Sequence, residues 1–323
     1  MKKAGRLAAA VFAAMLLVTG CGAPAEKKAV ETTPEQSSKI EQKEEAKNLK
    51  DAFKKDFKVG VAINPYQLKD EETKKIILEN FNSITMENGM KPEAILDQRA
   101  SENSKDGMPA INEENLAECL SLAKDNGLVL RGHCLVWHNQ TPEWFFCEKY
   151  DAGNAKVDKE TMKKRMESYI KKVLSFCQEK YPGVVYAWDV VNEACDDGGG
   201  YRTSSLWYEI YGDESYIEDA FTFARKYADK DVKLFYNDYN EYMPSKVSTI
   251  AELVKKLYDK KLIDGVGFQS HWDMNYPDTG MISDAMQKYS EIGDLEIQFT
   301  EVDMHNTDDS EEGLKKLADR YKE

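Results

Sequence analysis

Seven short apolar runs alternate with amphipathic stretches along this chain, and that alternation constrains the fold more than any other feature. The runs are VGVAIN (59–64), FNSITMEN (81–88), LVLRGHCLVW (128–137), VVYAWDVVNE (184–193), VKLFYND (232–238), GVGFQSH (265–271) and LEIQFTEVDM (295–304). Each has the length and apolar character of a buried strand. Between them apolar residues recur at steps of three and four, most clearly Met162, Met166, Tyr169, Ile170, Val173, Phe176 and Cys177. That is the spacing of one helix face. Strands separated by helices run parallel, with the helices outside. No glycine-rich dinucleotide loop follows the first run. The expected fold class is therefore α/β, a (β/α)8 TIM barrel with seven βα units present and incomplete at the C-terminus. No short repeat or second domain is visible.

In such a barrel the chemistry gathers at the C-terminal ends of the strands. The second run ends in Glu87 and Asn88, followed by Lys91, and the third carries His133, Trp137 and His138. The fourth ends in Asn192 and Glu193, and the fifth in Asn237 and Asp238. The sixth ends in Gln269 and His271, the seventh in Glu301 and Asp303. Solvation explains one polar strand end, but not six at the same end of a sheet.

Period-two alternation puts Gly267, Gln269 and His271 on one face, and Ile297, Phe299, Glu301 and Asp303 on another. If both faces point inward, Gln269 and His271 lie beside Glu301 and Asp303. A histidine there donates to both carboxylates and keeps Glu301 ionised. Asn192 and Glu193 cannot both face inward by strict alternation, so a twist or bulge is expected at that strand end. Glu193 has an amide neighbour and no visible cation, which would raise its pKa. Two carboxyls with separated pKa values are the equipment for cleaving a glycosidic bond, one as proton donor and one as nucleophile. Trp137, Trp144 and Tyr239 offer flat faces for sugar rings, and Glu87, Asn88, Lys91 and Gln269 offer hydroxyl partners.

The net charge of −14 argues against nucleic acid as a partner, because phosphate binding needs lysine and arginine on one face. Cys119, Cys134, Cys147, Cys177 and Cys195 stand singly and read as free, buried thiols. A metal site from Cys134, Cys195, His133 and His138 has no ligand spacing to support it, so neither metal nor cofactor is expected. Near the N-terminus, Lys2, Lys3 and Arg6 precede a 12-residue apolar run, LAAAVFAAMLLV. This run is too short to span a membrane and suits a signal-peptide core. LVTGC resembles the bacterial lipoprotein box, which implies lipidation of Cys21; an ordinary small-residue cleavage site is the alternative. Residues 22 to about 50 are polar, without an aromatic residue, and read as a flexible tether. The expected organisation is a lipoprotein signal peptide at 1–20, a tether at 21–50 and the catalytic barrel at 51–323.

From about residue 46 the chain resembles the family 10 glycoside hydrolases, the retaining endo-β-1,4-xylanases. The motifs are ITMENGMKPEAI, RGHCLVWHNQTPEWF, WDVVNEACDDGG, FYNDYN, GVGFQSHW and QFTEVDM, in the family's order and at its separations. The resemblance implies Glu193 as acid/base and Glu301 as nucleophile, with His271 and Asp303 orienting the nucleophile. It implies that Asn192 binds the sugar 2-hydroxyl and that Glu87, Asn88, Lys91, His133, Trp137 and Gln269 line the glycone subsites. His138 and Tyr239 join them as substrate-binding residues. The family continues to an eighth strand whose loop brings tryptophans over the scissile bond, whereas this sequence stops at Tyr321-Lys322-Glu323. The expectation is a reading frame cut inside the seventh helix, with exposed strand edges, a tendency to aggregate and little activity. The expected substrate is xylan or a xylo-oligosaccharide, acted on by a monomer held at the cell envelope. A non-catalytic carbohydrate-binding lipoprotein and a β-glucanase of the same fold are the alternatives.

Overall fold

A computed structural model describes residues 48–323, framed by a seven-stranded parallel sheet in which each strand leads into a helix. The pairs are β1 (Gly60–Ile63) with α1 (Glu71–Asn80), β2 (Ser83–Met86) with α2 (Glu113–Asp125), and β3 (Val129–Trp137) with α3 (Lys159–Lys180). There follow β4 (Val185–Asn192) with α4 (Ser215–Tyr227) and β5 (Lys233–Asp238) with α5 (Pro244–Asp259). The last are β6 (Gly265–Phe268) with α6 (Thr279–Ser290) and β7 (Glu296–Phe299) with α7 (Glu311–Lys322). The strands lie side by side in chain order, and every pairing is parallel. Among the described residues β1 and β7 are the edges, so the sheet is an open barrel of seven βα units. The expected signal peptide, Cys21 and nearly all of the tether lie outside the described residues.

Helix α3 starts where the Asp158 carboxylate accepts the Thr161 amide at 2.7 Å. Its expected face is buried at Met162, Met166, Tyr169, Ile170, Val173 and Cys177, while Phe176 is only half-buried, against Tyr181. Arg165 shares that face, which apolar periodicity does not disclose. It donates to the Phe145 and Cys147 carbonyls at 2.7 and 2.8 Å and lies 3.8 Å above the Tyr150 ring. The five cysteines are free and buried, as expected.

Deeper in the barrel, Arg131 of β3 pairs with Asp189 of β4, both almost wholly buried. The guanidinium sits 4.5 Å over the Phe235 ring and also donates to Gln298 at 2.6 Å. Burial would push the Asp189 carboxyl up, but Arg131 and His133 outweigh it and hold Asp189 below the usual carboxylate range. Asp189 thereby carries charge to the site, since its Oδ2 lies 3.0 Å from His133 Nδ1.

The sixth and seventh runs are not continuous strands. β6 stops at Phe268 and β7 at Phe299, and His271–Asp273 then pairs with Asp303–His305 in a separate parallel ladder. Ser270, with φ of 62°, turns the chain left-handed just before His271. The inward residues are Gln298 of β7 and Thr300 just beyond its end, bonded to Arg131 and Asn237. Phe299 points outward against Phe268 and Trp272. The shared inward face expected for Ile297, Phe299, Glu301 and Asp303 is thus wrong. Glu301 reaches the barrel mouth because strand pairing ends before it.

Candidate active site

Glu193 immediately follows the last residue of β4, with φ of 56°. This left-handed residue is the irregularity that alternation required, and it allows Asn192 and Glu193 to act on the same side. A register shift between Asp189 and Val191 precedes it. The Glu193 carboxylate accepts from Gln269 Nε2 at 3.0 Å and from Asn192 Nδ2 at 3.3 Å. His138 Nδ1 lies 3.9 Å away, and burial, followed by the charge of Arg202, holds the His138 pKa below its usual value. Gln269 was expected beside Glu301 and Asp303; it serves Glu193 and Asn192 instead. The expectation of no nearby cation also fails. Arg202, nine residues further on, donates to the Glu193 carbonyl at 3.1 Å.

Across the mouth, Glu301 accepts from Asn237 Nδ2 at 2.9 Å, and the same amide donates to Asn192 Oδ1 at 2.9 Å. His271 Nε2 lies 3.3 Å from Glu301, while its Nδ1 lies 2.9 Å from Asp303. The histidine therefore does stand between two carboxylates. Burial would raise the Glu301 pKa, but hydrogen bonds from His271 and Asn237 and the field of His133 hold it below the usual range. Reciprocally, the bond to Glu301 leads in raising His271 to about 9. Gly267 makes room for this arrangement, since a Cβ there would overlap Asn237 Oδ1.

The remaining expected residues divide into two groups. Asn88 accepts from Lys91 Nζ at 3.3 Å, and Lys91 reaches to 5.2 Å above the Trp137 ring. Trp137 in turn packs at 6.1 Å from His133 and 6.0 Å from His138. Glu87 and Asn88 are exposed just beyond β2. These residues form one wall of the mouth. Tyr239 is a poor sugar platform, because Lys246 Nζ lies 3.6 Å over its ring and Arg202 donates to its hydroxyl at 2.9 Å. Trp144 is half-buried and packs edge-on against Phe145 and Tyr150, with its ring against the core. His305 faces Asp273 at 3.5 Å within the small ladder.

Sequence reasoning noted Asn237 only as a strand end and overlooked Arg131, Asp189, Arg202, Gln140 and Lys246. The signal for Arg131 and Asp189 was present, since each is a lone charge inside an apolar run. Gln140, which donates to Asn88 at 3.2 Å, left no such trace.

Parallel strands whose C-terminal ends bring together two carboxyls of unlike surroundings define a glycoside hydrolase of the barrel type. The comparisons give the particular family. Residues 48–323 match the model of glycosyl hydrolase family 10, and the chain belongs to that family. It is 48% identical over 280 residues to endo-1,4-beta-xylanase B of Butyrivibrio fibrisolvens, covering 85% of this chain and 44% of that protein. It is also 48% identical over 244 residues to a putative endo-1,4-beta-xylanase of Caldicellulosiruptor saccharolyticus, covering 72% of this chain and 78% of that one. The chain thus spans less than half the length of the first relative. Among solved structures, the CBM22-1–GH10 modules of a Clostridium thermocellum xylanase, complexed with xylohexaose, align with TM-score 0.77 at 40% identity. That alignment covers 85% of this chain and 56% of that one. An intracellular xylanase of Thermoanaerobacterium saccharolyticum aligns with TM-score 0.74 at 35% identity, covering 85% and 82%.

Proposed function

We propose that this protein hydrolyses internal β-1,4-xylosidic bonds of xylan by retaining double displacement. The observation that carries the reading is the Asn192–Asn237 bridge between a histidine-backed Glu301 and Glu193. Glu301, held ionised, attacks the anomeric carbon while the bond to the leaving oxygen breaks and Glu193 gives that oxygen its proton. Glu193 then removes a proton from water, which attacks the same carbon and releases Glu301. His271 and Asp303 orient the nucleophile, and Asn192 meets the sugar 2-hydroxyl. Glu87, Asn88, Lys91, His133, Trp137, His138 and Gln269 serve the substrate, whereas Tyr239, covered by Lys246, supports the wall behind them. Both relatives named above are xylanases by name, and the C. thermocellum structure holds xylohexaose. Proton NMR of xylo-oligosaccharide cleavage should show the β-anomer as first product; the α-anomer would overturn the mechanism. Greater product release from carboxymethylcellulose than from xylan would overturn the substrate. We further propose that the protein is exported and held at the cell envelope through lipid on Cys21, a reading supported by the sequence pattern LVTGC.

A further inference from the structure

Glu193 carries its carboxyl from a left-handed backbone, φ 56°, which is unfavourable for a residue with a Cβ. Such a conformation persists only where its surroundings over-determine it. Here the Glu193 amide donates to Asn237 O at 2.9 Å, and the Glu193 carbonyl accepts from Arg202. The next two amides, of Ala194 and Cys195, converge on a single acceptor. Both donate to the Tyr236 hydroxyl oxygen at 3.0 Å. A phenol has two lone pairs and one hydrogen. Both lone pairs are engaged, and the hydrogen goes to Asp238 Oδ2, so the hydroxyl has one orientation. Asp238 is fixed in turn through Oδ1, which accepts from Lys246 Nζ and the Tyr239 amide at 2.9 Å each. Lys246 also reaches Asp197, in the loop after Glu193, at 2.9 Å. Tyr236, Asp238 and Lys246 are all fully buried.

We propose that Tyr236, held by Asp238, is a positioning residue whose hydroxyl fixes the turn that aims Glu193 at the leaving-group oxygen. This rests on the acid/base reading of Glu193. Packing alone does not call for the hydroxyl, since a phenylalanine would fill the same space. What the oxygen adds is an anchor for the two amides that follow the acid/base.

A displaced acid slows cleavage only where the leaving group needs a proton. In Tyr236→Phe, kcat/KM for a xylobioside of a weakly acidic phenol should fall about 10- to 100-fold, the range expected for misplacement of about 1 Å or less. For the dinitrophenyl xylobioside it should stay within about threefold of the parent protein, because that group leaves unprotonated. Equal losses on the two substrates, or none on either, would overturn the proposal. Glu193→Ala, run alongside, should give the same split with larger amplitude. If it splits and Tyr236→Phe does not, the positioning role alone fails; if it does not split, the assignment of Glu193 itself fails. Should Tyr236→Phe not melt cooperatively, Asp238→Asn, which releases the hydroxyl from its charged acceptor, reads the same split. Equal losses in that variant overturn the proposal in the same way.

Discussion

The His271 ring joins Asp303 on one nitrogen to Glu301, the proposed nucleophile, on the other. Its pKa is raised to about 9, first by the bond to Glu301. A raised pKa means that the charged ring stabilises the folded site fully below its ordinary value of about 6.5, and that this is lost as pH rises through about 9. Glu301 has the opposite sign: its depressed pKa keeps it ionised at neutrality, and that ionisation is lost only at acid pH. His271→Asn should therefore move the acid limb of the kcat/KM profile to higher pH, because Glu301 loses the donor that depresses it. The difference in Tm between parent and variant should also shrink as pH rises through about 9. An acid limb that stays in place would remove His271 from its orienting role. These residues were legible because a histidine and two carboxylates at adjacent strand ends have few other uses. The anchoring of Glu193 by Tyr236 was not, since its partners are backbone amides and no side-chain pattern records them.

At the scale of elements, the site depends on where strands stop. β6 and β7 end at Phe268 and Phe299, and the left-handed Ser270 and Glu193 redirect the chain into the mouth. Sequence alternation found the strands but carried their parity too far, because each side chain beyond the last paired residue is free of the pleat. Gly267 of β6 shows how tightly the ends are set. Gly267→Ala would drive its methyl into the Asn237 amide, which bonds both Glu301 and Asn192. The expected result is a loss in kcat of about tenfold or more, with both hydrogen bonds from Asn237 Nδ2 broken in a crystal structure of the variant. Unchanged kcat would mean that Asn237 can shift without moving the carboxyls.

At the scale of the whole molecule, attachment and sheet edges carry the remaining predictions. The proposed attachment is lipid on Cys21, for which the pattern LVTGC is the support. Cys21→Ser should therefore move the protein from the membrane to the soluble fraction of cells that produce it. Unchanged fractionation would reject the lipid anchor. Within the described residues the sheet leaves β1 and β7 unpaired on their outer sides, and Phe299 at that edge is 43% exposed. Edges of this kind are sites where further strands add.

The sequence by itself determined the parallel α/β architecture, the order of its strands and the collection of polar residues at one end of the sheet. Those follow from periodicity and from the rule that apolar runs broken by helices run parallel. It also determined that Glu193 and Glu301 meet unlike neighbours. Only the tertiary structure decided that Gln269 serves Glu193 rather than Glu301, that Lys246 covers the Tyr239 ring, and that Trp144 packs edge-on against Phe145 and Tyr150. Each of these is a choice between partners many residues apart. Spacing along the chain cannot settle such a choice, because the outcome depends on backbone turns at Glu193 and Ser270 that long-range hydrogen bonds hold in place.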